Sequence, residues 1–179
     1  MIKFLLSICM VIATYYGVAF AMLGKNNITA LIMDITCDKP VYAFPVPTMT
    51  YLKRVKNLQG IPTSDDTQTL LQFILAGYGD RSCNREKIEE VVEIFLHAGF
   101  DINEIAPNGL TVLHDAVIWA DKNLVEYLLN HGADPEVMAK EPSEHEFLSS
   151  YDLNKILLQE DAKYNDRLNI QMIISKHIL

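Results

Sequence analysis

The sequence predicts a mainly α-helical protein, a short helical solenoid of about three repeats with an amino-terminal capping extension. Three observations carry this. Apolar residues recur at helical spacing in residues 91–103 and again in 124–136. The two stretches repeat each other at an offset of 33 residues, so that Val92, Glu93, Leu96, Gly99 and Asp101 return as Val125, Glu126, Leu129, Gly132 and Asp134. Each stretch closes on glycine, which takes the left-handed conformation at a helix carboxyl end at little cost.

The composition agrees with one folded domain. The chain has 179 residues, 50% hydrophobic and 21% charged, which is ordinary for a core-forming protein. That excludes a wholly disordered chain, a collagen and a polar linker. Fifteen basic residues against 23 acidic ones give a net charge of −8. No basic stripe is visible, so nucleic acid is not an expected partner. Three cysteines are too few for a disulfide-dense miniprotein.

The amino terminus reads as a secretory signal. Lys3 is the only charge before Lys25, and the 21 residues between 4 and 24 are uncharged and largely apolar. Ala19-Phe20-Ala21 supplies the small-x-small pattern for cleavage after Ala21. A run this long also suits an uncleaved membrane anchor. Tyr15, Tyr16 and Gly17 interrupt it and favour cleavage. Either way the remainder is exported, to the periplasm in a bacterium and otherwise as a secreted protein. Removing residues 1–21 leaves a charge of −9 and two cysteines, Cys37 and Cys83. In an oxidising compartment these two can pair. Asn27-Ile28-Thr29 fits a glycosylation acceptor in a eukaryotic chain.

Residues 22–63 match nothing in the repeat. They hold β-branched and aromatic residues, and Pro40, Pro45 and Pro47 are expected to forbid a helix there. Residues 49–58 suit a short helix. This extension is expected to cover the apolar edge of the first repeat.

The repeats occupy residues 64–179. In the first, Thr69-Leu70-Leu71-Gln72 stands where Thr111-Val112-Leu113-His114 stands later. Nine extra residues fall near 77–87, a loop composition carrying Cys83. A bridge from Cys37 would staple this loop to the extension. In the second repeat Asn108-Gly109 marks a tight turn and Thr111 suits a helix amino-terminal cap. In the third, residues 149–154 fit the start of an inner helix. Residues 168–179 supply the outer helix, with Ile170, Ile173, Ile174 and Ile178 apolar. The polar stretch 159–166 between them suits a loop. The acids Glu141, Glu144, Glu146, Glu160, Asp161 and Asp166 suit the polar outer face of a terminal repeat.

Gly109, Thr111, Leu113, His114, Ala116, Leu124, Val125, Leu128, Leu129, Gly132, Ala133 and Asp134 together resemble the ankyrin repeat. The departures are Val112 for proline, Val117 for the second alanine and Ala120 for the usual inter-helix glycine. The resemblance implies that His114 is structural and bonds neighbouring turns. It implies a protein-binding face on the turn tips and inner helices. Carried onto this chain, that face is Glu104, Ile105, Pro107, Asn108 and Leu110 on the turn, with Ile118 and Trp119 on the inner helix. Met138, in the next turn, extends it. Trp119 is the only tryptophan, and aromatic anchors dominate binding hot spots. The rival role for Trp119 is packing beneath the extension or the insert.

No catalytic pattern emerges. His145-Glu146 opens like a zinc-protease motif, but Ser149 stands where the second histidine is needed. There is no Cys-x-x-Cys, no Gly-x-Ser-x-Gly and no phosphate-cradling loop. Asp65-Asp66 and Glu89-Glu90 read as solvated faces. No catalytic, cofactor-binding or metal-binding residue is expected. The resemblance implies a non-enzymatic protein-binding module of the cell envelope, such as an immunity protein neutralising a toxin. The acidic balance favours a basic toxin or enzyme as partner. The alternatives are a maintenance factor for a resident envelope enzyme and a membrane-anchored scaffold.

Overall fold

The computed structural model describes residues 2–23, 28–38, 45–54, 68–160 and 164–178. These form helices α1 (Ile2–Leu23), α2 (Ile28–Thr36), α3 (Pro45–Arg54), α4 (Leu70–Ala76), α5 (Arg85–His97), α6 (Val112–Ile118), α7 (Lys122–Asn130), α8 (Ser150–Glu160) and α9 (Tyr164–Ile178). Three antiparallel pairs stack, α4 with α5, α6 with α7 and α8 with α9. The inner helices α4, α6 and α8 contact one another in that order. Among the described residues two isolated antiparallel bridges occur, Cys37 with Cys83 and Met138 with Ser149.

Each pair buries the apolar stripe that its periodicity announced. Leu71, Leu75, Ile88 and Phe95 fill the first pair. Leu113, Ala116, Leu124 and Leu128 fill the second, and Leu153, Ile170 and Ile174 the third. Full burial of one such aliphatic or aromatic side chain favours the fold by about 1.5–3 kcal/mol. The inner helices α4 and α6 are only seven residues long. Each begins with a threonine cap, Thr69 or Thr111, that accepts from the backbone N–H three residues on. The outer helices end on Gly99 at φ +89° and Gly132 at φ +91°. Ala120 adopts φ 56° between α6 and α7. It holds the left-handed conformation that the usual glycine would take without strain.

The extension is more helical than its composition promises. Residues 28–36 are β-branched in part, yet they form α2. Ile28, Leu31, Ile32 and Ile35 lie at helical spacing and are all buried. That burial outweighs the few tenths of a kcal/mol that β-branching costs a helix. The prolines do not exclude a helix either. Pro45 and Pro47 sit in the first turn of α3, where the backbone N–H has no helical partner to lose. Pro40 lies outside the described residues, as does Asn27 of the glycosylation pattern. α2 packs on both α4 and α5. Thr48 of α3 donates to the buried Asp34 carboxylate of α2 at 3.2 Å. Lys53 of α3 pairs with Glu90 of α5.

The third pair also departs from expectation. α8 continues through Glu160 and α9 begins at Tyr164, so most of the polar stretch 159–166 is helical. Leu157 packs against the core and keeps α8 in register to its end. The acids expected on a terminal face are placed differently. Glu141, Glu144 and Glu146 lie on the long turn between α7 and α8. Asp166 is exposed on α9, and Asp161 lies outside the described residues. α8 and α9 instead expose Ile156, Leu168, Met172 and Ile178.

Candidate protein-binding surface

Cys37 and Cys83 form a disulfide across 46 residues. Backbone bonds flank it on both sides. Asp38 N–H donates to the Ser82 carbonyl and Asn84 N–H to the Thr36 carbonyl, each at 2.7 Å. The insert between α4 and α5 is thereby stitched to the end of α2. Tyr78 of the insert is buried, with Arg85 over its ring and its hydroxyl donating to Glu89 at 2.8 Å.

The repeats are joined by side chains at equivalent positions. His114 Nδ1 accepts from the Thr111 N–H, so the proton lies on Nε2, which donates to the Leu148 carbonyl at 3.0 Å. Burial holds the His114 pKa below its usual 6.5 and keeps the ring neutral. Its role is structural, as the resemblance implied. Gln72 fills the same place one repeat earlier. Its oxygen accepts from the Thr69 N–H, and its nitrogen faces the Leu110 carbonyl at 3.5 Å. The same nitrogen donates to Asp115 Oδ2 at 2.8 Å. Desolvation raises the Asp115 pKa to about 6, and the Gln72 bond opposes that rise.

The turns stack by a second set of bonds. Asn103 donates to the Gly132 carbonyl at 3.2 Å and accepts from the Asp134 N–H at 2.8 Å. Gly109 approaches the next turn so closely that an added Cβ would lie 1.9 Å from the Lys140 carbonyl oxygen. Lys140 N–H returns a bond to the Gly109 carbonyl at 2.8 Å.

The residues expected at the binding face divide on this framework. Glu104 and Pro107 are exposed at the turn tip, while Ile105, Asn108 and Leu110 are half-buried. Asn108 folds back to accept from the Leu110 N–H at 3.0 Å. Ile118 packs partly against the core. Trp119 closes the carboxyl end of α6 and is 42% exposed. Arg167 of α9, itself buried, donates to the carbonyls of Val117 and Ile118 beside it. Met138 is exposed on the next turn, beside the amino-terminal end of α8, and lines a cleft whose lining does not include Trp119.

Sequence reasoning missed Phe147. It is 72% exposed, at φ 65°, on a turn folded back by Ala139 N–H to Leu148 and Phe147 N–H to Ala139. A lone aromatic after Glu144-His145-Glu146 was the available signal. Met138 opens onto a cleft of about 440 Å³. Glu136, Tyr151, Asp152, Ser175 and Ile178 also line it. Among the described residues no group of three or more His, Cys, Asp or Glu is placed to hold a metal ion. Among them, too, no helix is long and apolar enough to cross a membrane.

Stacked helix pairs with bonded projecting turns define a helical-repeat binding protein. Residues 54–139 match the family model of ankyrin repeats in three copies. An ankyrin repeat protein of fowlpox virus is 47% identical over 49 residues, covering 27% of this chain and 7% of that protein. An L-asparaginase of Dirofilaria immitis is 44% identical over 62 residues, covering 35% of this chain and 9% of the enzyme. The match spans less than a tenth of either relative. Residues 54–139, just under half of this chain, are thus similar to ankyrin repeats. Such repeats are protein-interaction modules and generally not enzymes.

Proposed function

We propose that this chain is an exported, non-enzymatic module that holds a protein partner on its inner helices and turn tips. The exposure of Trp119 carries the reading. A single large aromatic stands 42% exposed at the end of an inner helix in a repeat type that binds proteins. The uncharged run 4–24 and the Cys37–Cys83 bridge support an oxidising compartment outside the cytosol. In a bacterial envelope this combination suits an immunity protein that neutralises a toxin. The charge of −8 favours a basic toxin or enzyme cleft.

The test immobilises the full chain beside its Trp119→Asp variant and identifies retained envelope proteins by mass spectrometry. One partner held by the native chain and lost by the folded variant is the expected result. Equal capture by both would remove Trp119 from the binding face. Protection of a sensitive strain from the captured partner would establish neutralisation, and failure to protect would leave only the binding role.

A further inference from the structure

The third repeat repeats the geometry of the first two but changes the chemistry of its joining residues. In the first two repeats the residue three after the cap, Gln72 or His114, points a donor nitrogen at the carbonyl that precedes the next cap. The same position after Ser149 is Asp152. Its N–H donates to Ser149 Oγ at 3.1 Å and its Oδ2 accepts from that hydroxyl at 2.9 Å. The turn position tells the same story. Asn103 follows Asp101, whose carboxylate accepts its N–H at 2.8 Å. Glu136 follows Asp134 in the identical arrangement, also at 2.8 Å. Asn103 bonds the backbone of the next turn, whereas the Glu136 carboxylate has no partner among the described residues.

Both joining positions of the last repeat line the cleft that holds Met138, Tyr151 and Ile178. It opens where a following turn would stack. A further repeat of the first two kinds would present a carbonyl to Asp152, oxygen against oxygen. The carboxylates Glu136 and Asp152 can only accept. We infer that this cleft binds an arginine- or lysine-bearing segment of a protein partner, its cationic head between Glu136 and Asp152 and its aliphatic stem on Met138, Tyr151 and Ile178. Charged donors bond carboxylates more strongly than neutral ones, and long cationic side chains bury their stems on apolar surface. This rests on the protein-binding reading and adds a second contact region whose lining does not include Trp119.

The test titrates the isotope-labelled full chain with capped Gly-Arg-Gly, Gly-Lys-Gly and Gly-citrulline-Gly, and follows backbone amide shifts. Saturable shifts at Met138, Tyr151 and Ser175 are expected with the two cationic peptides, about tenfold weaker with the uncharged citrulline peptide. Glu136→Gln should weaken the cationic response, and adding Asp152→Asn should reduce it to that of citrulline. Glu136 is exposed and bonds no other turn, so the single variant keeps the fold and makes the result interpretable. Equal response to all three peptides, or shifts confined to other surfaces, overturns the inference. So does saturation of the cleft by a second copy of the chain, seen as concentration-dependent shifts without peptide. Trp119→Asp should leave these shifts unchanged. A partner lost on Trp119→Asp but indifferent to Glu136→Gln and Asp152→Asn would sustain the proposed function and sink this inference alone.

Discussion

Gln72 Nε2 lies 2.8 Å from Asp115 Oδ2 and couples the inner helices α4 and α6 through a carboxyl group whose pKa stands at about 6. Its ordinary value is 3.8, so folding favours the protonated form. The stability it confers is full below 3.8 and is lost as pH rises through about 6. At neutral pH the native chain therefore carries a charged, partly desolvated Asp115. Asp115→Asn keeps an acceptor for Gln72 and removes that charge. The variant should be more stable at pH 7.5 by on the order of 1 kcal/mol, since partial exposure screens the rest. The gain should vanish near pH 4. Urea melts of both proteins across that range measure it. His114 acts in the opposite sense, because its lowered pKa costs stability as pH falls below its usual 6.5. The difference between variant and native cancels that contribution. A gain that grows toward acid would refute the assignment.

Ala120→Gly should stabilise the chain. Ala120 holds φ 56° at the junction of α6 and α7, a conformation costing a residue with a Cβ about 1 kcal/mol. A rise in melting temperature at unchanged secondary structure is the expected outcome, and a fall would show that the alanine methyl contributes more by packing at 9% exposure than it loses in strain.

Gly109→Ala should do the reverse, and more strongly. The residue has φ +84°, and a Cβ would fall 1.9 Å from the Lys140 carbonyl oxygen. Backbone cannot yield there without parting the two turns. A loss of at least 2 kcal/mol is expected, with loss of exchange protection at the Lys140 amide, which bonds Gly109. Retained protection would mean that the added methyl is accommodated without parting the turns.

Joint replacement of Cys37 and Cys83 by serine should cost about 4 kcal/mol, from the 46-residue separation that the bridge closes. Hydrogen exchange should rise first at Asp38 and Asn84, whose amides bond across the bridge. Uniform loss over all three pairs would show that the staple supports the whole domain rather than its first repeat.

Much of this was legible because repetition leaves marks that tertiary context cannot erase. The glycines at 99 and 132, the threonine caps and His114 each serve a backbone need that recurs every repeat. Ala120 was legible as a departure, and its positive φ is the cost of that departure. The pairing of Cys37 with Cys83 was readable only as an option that compartment allows. α2 was hidden because its residues Ile28, Thr29, Ile32, Ile35 and Thr36 have strand-like preferences. Only the packing of α2 on α4 and α5 makes the helix. The prolines of α3 misled because their effect depends on which turn holds them. Phe147 was hidden for a different reason. The turn between α7 and α8 is longer than its counterparts, and nothing in the period predicts where its tip points.

Arg167 closes α6 from 50 residues downstream, through the carbonyls of Val117 and Ile118. The helix that presents Trp119 is therefore finished by a side chain from another repeat. A chain cut before Arg167 would keep the whole sequence of α6 and lose the donor that closes it. The tryptophan would then stand on a fraying end, so its presentation depends on α9 being docked.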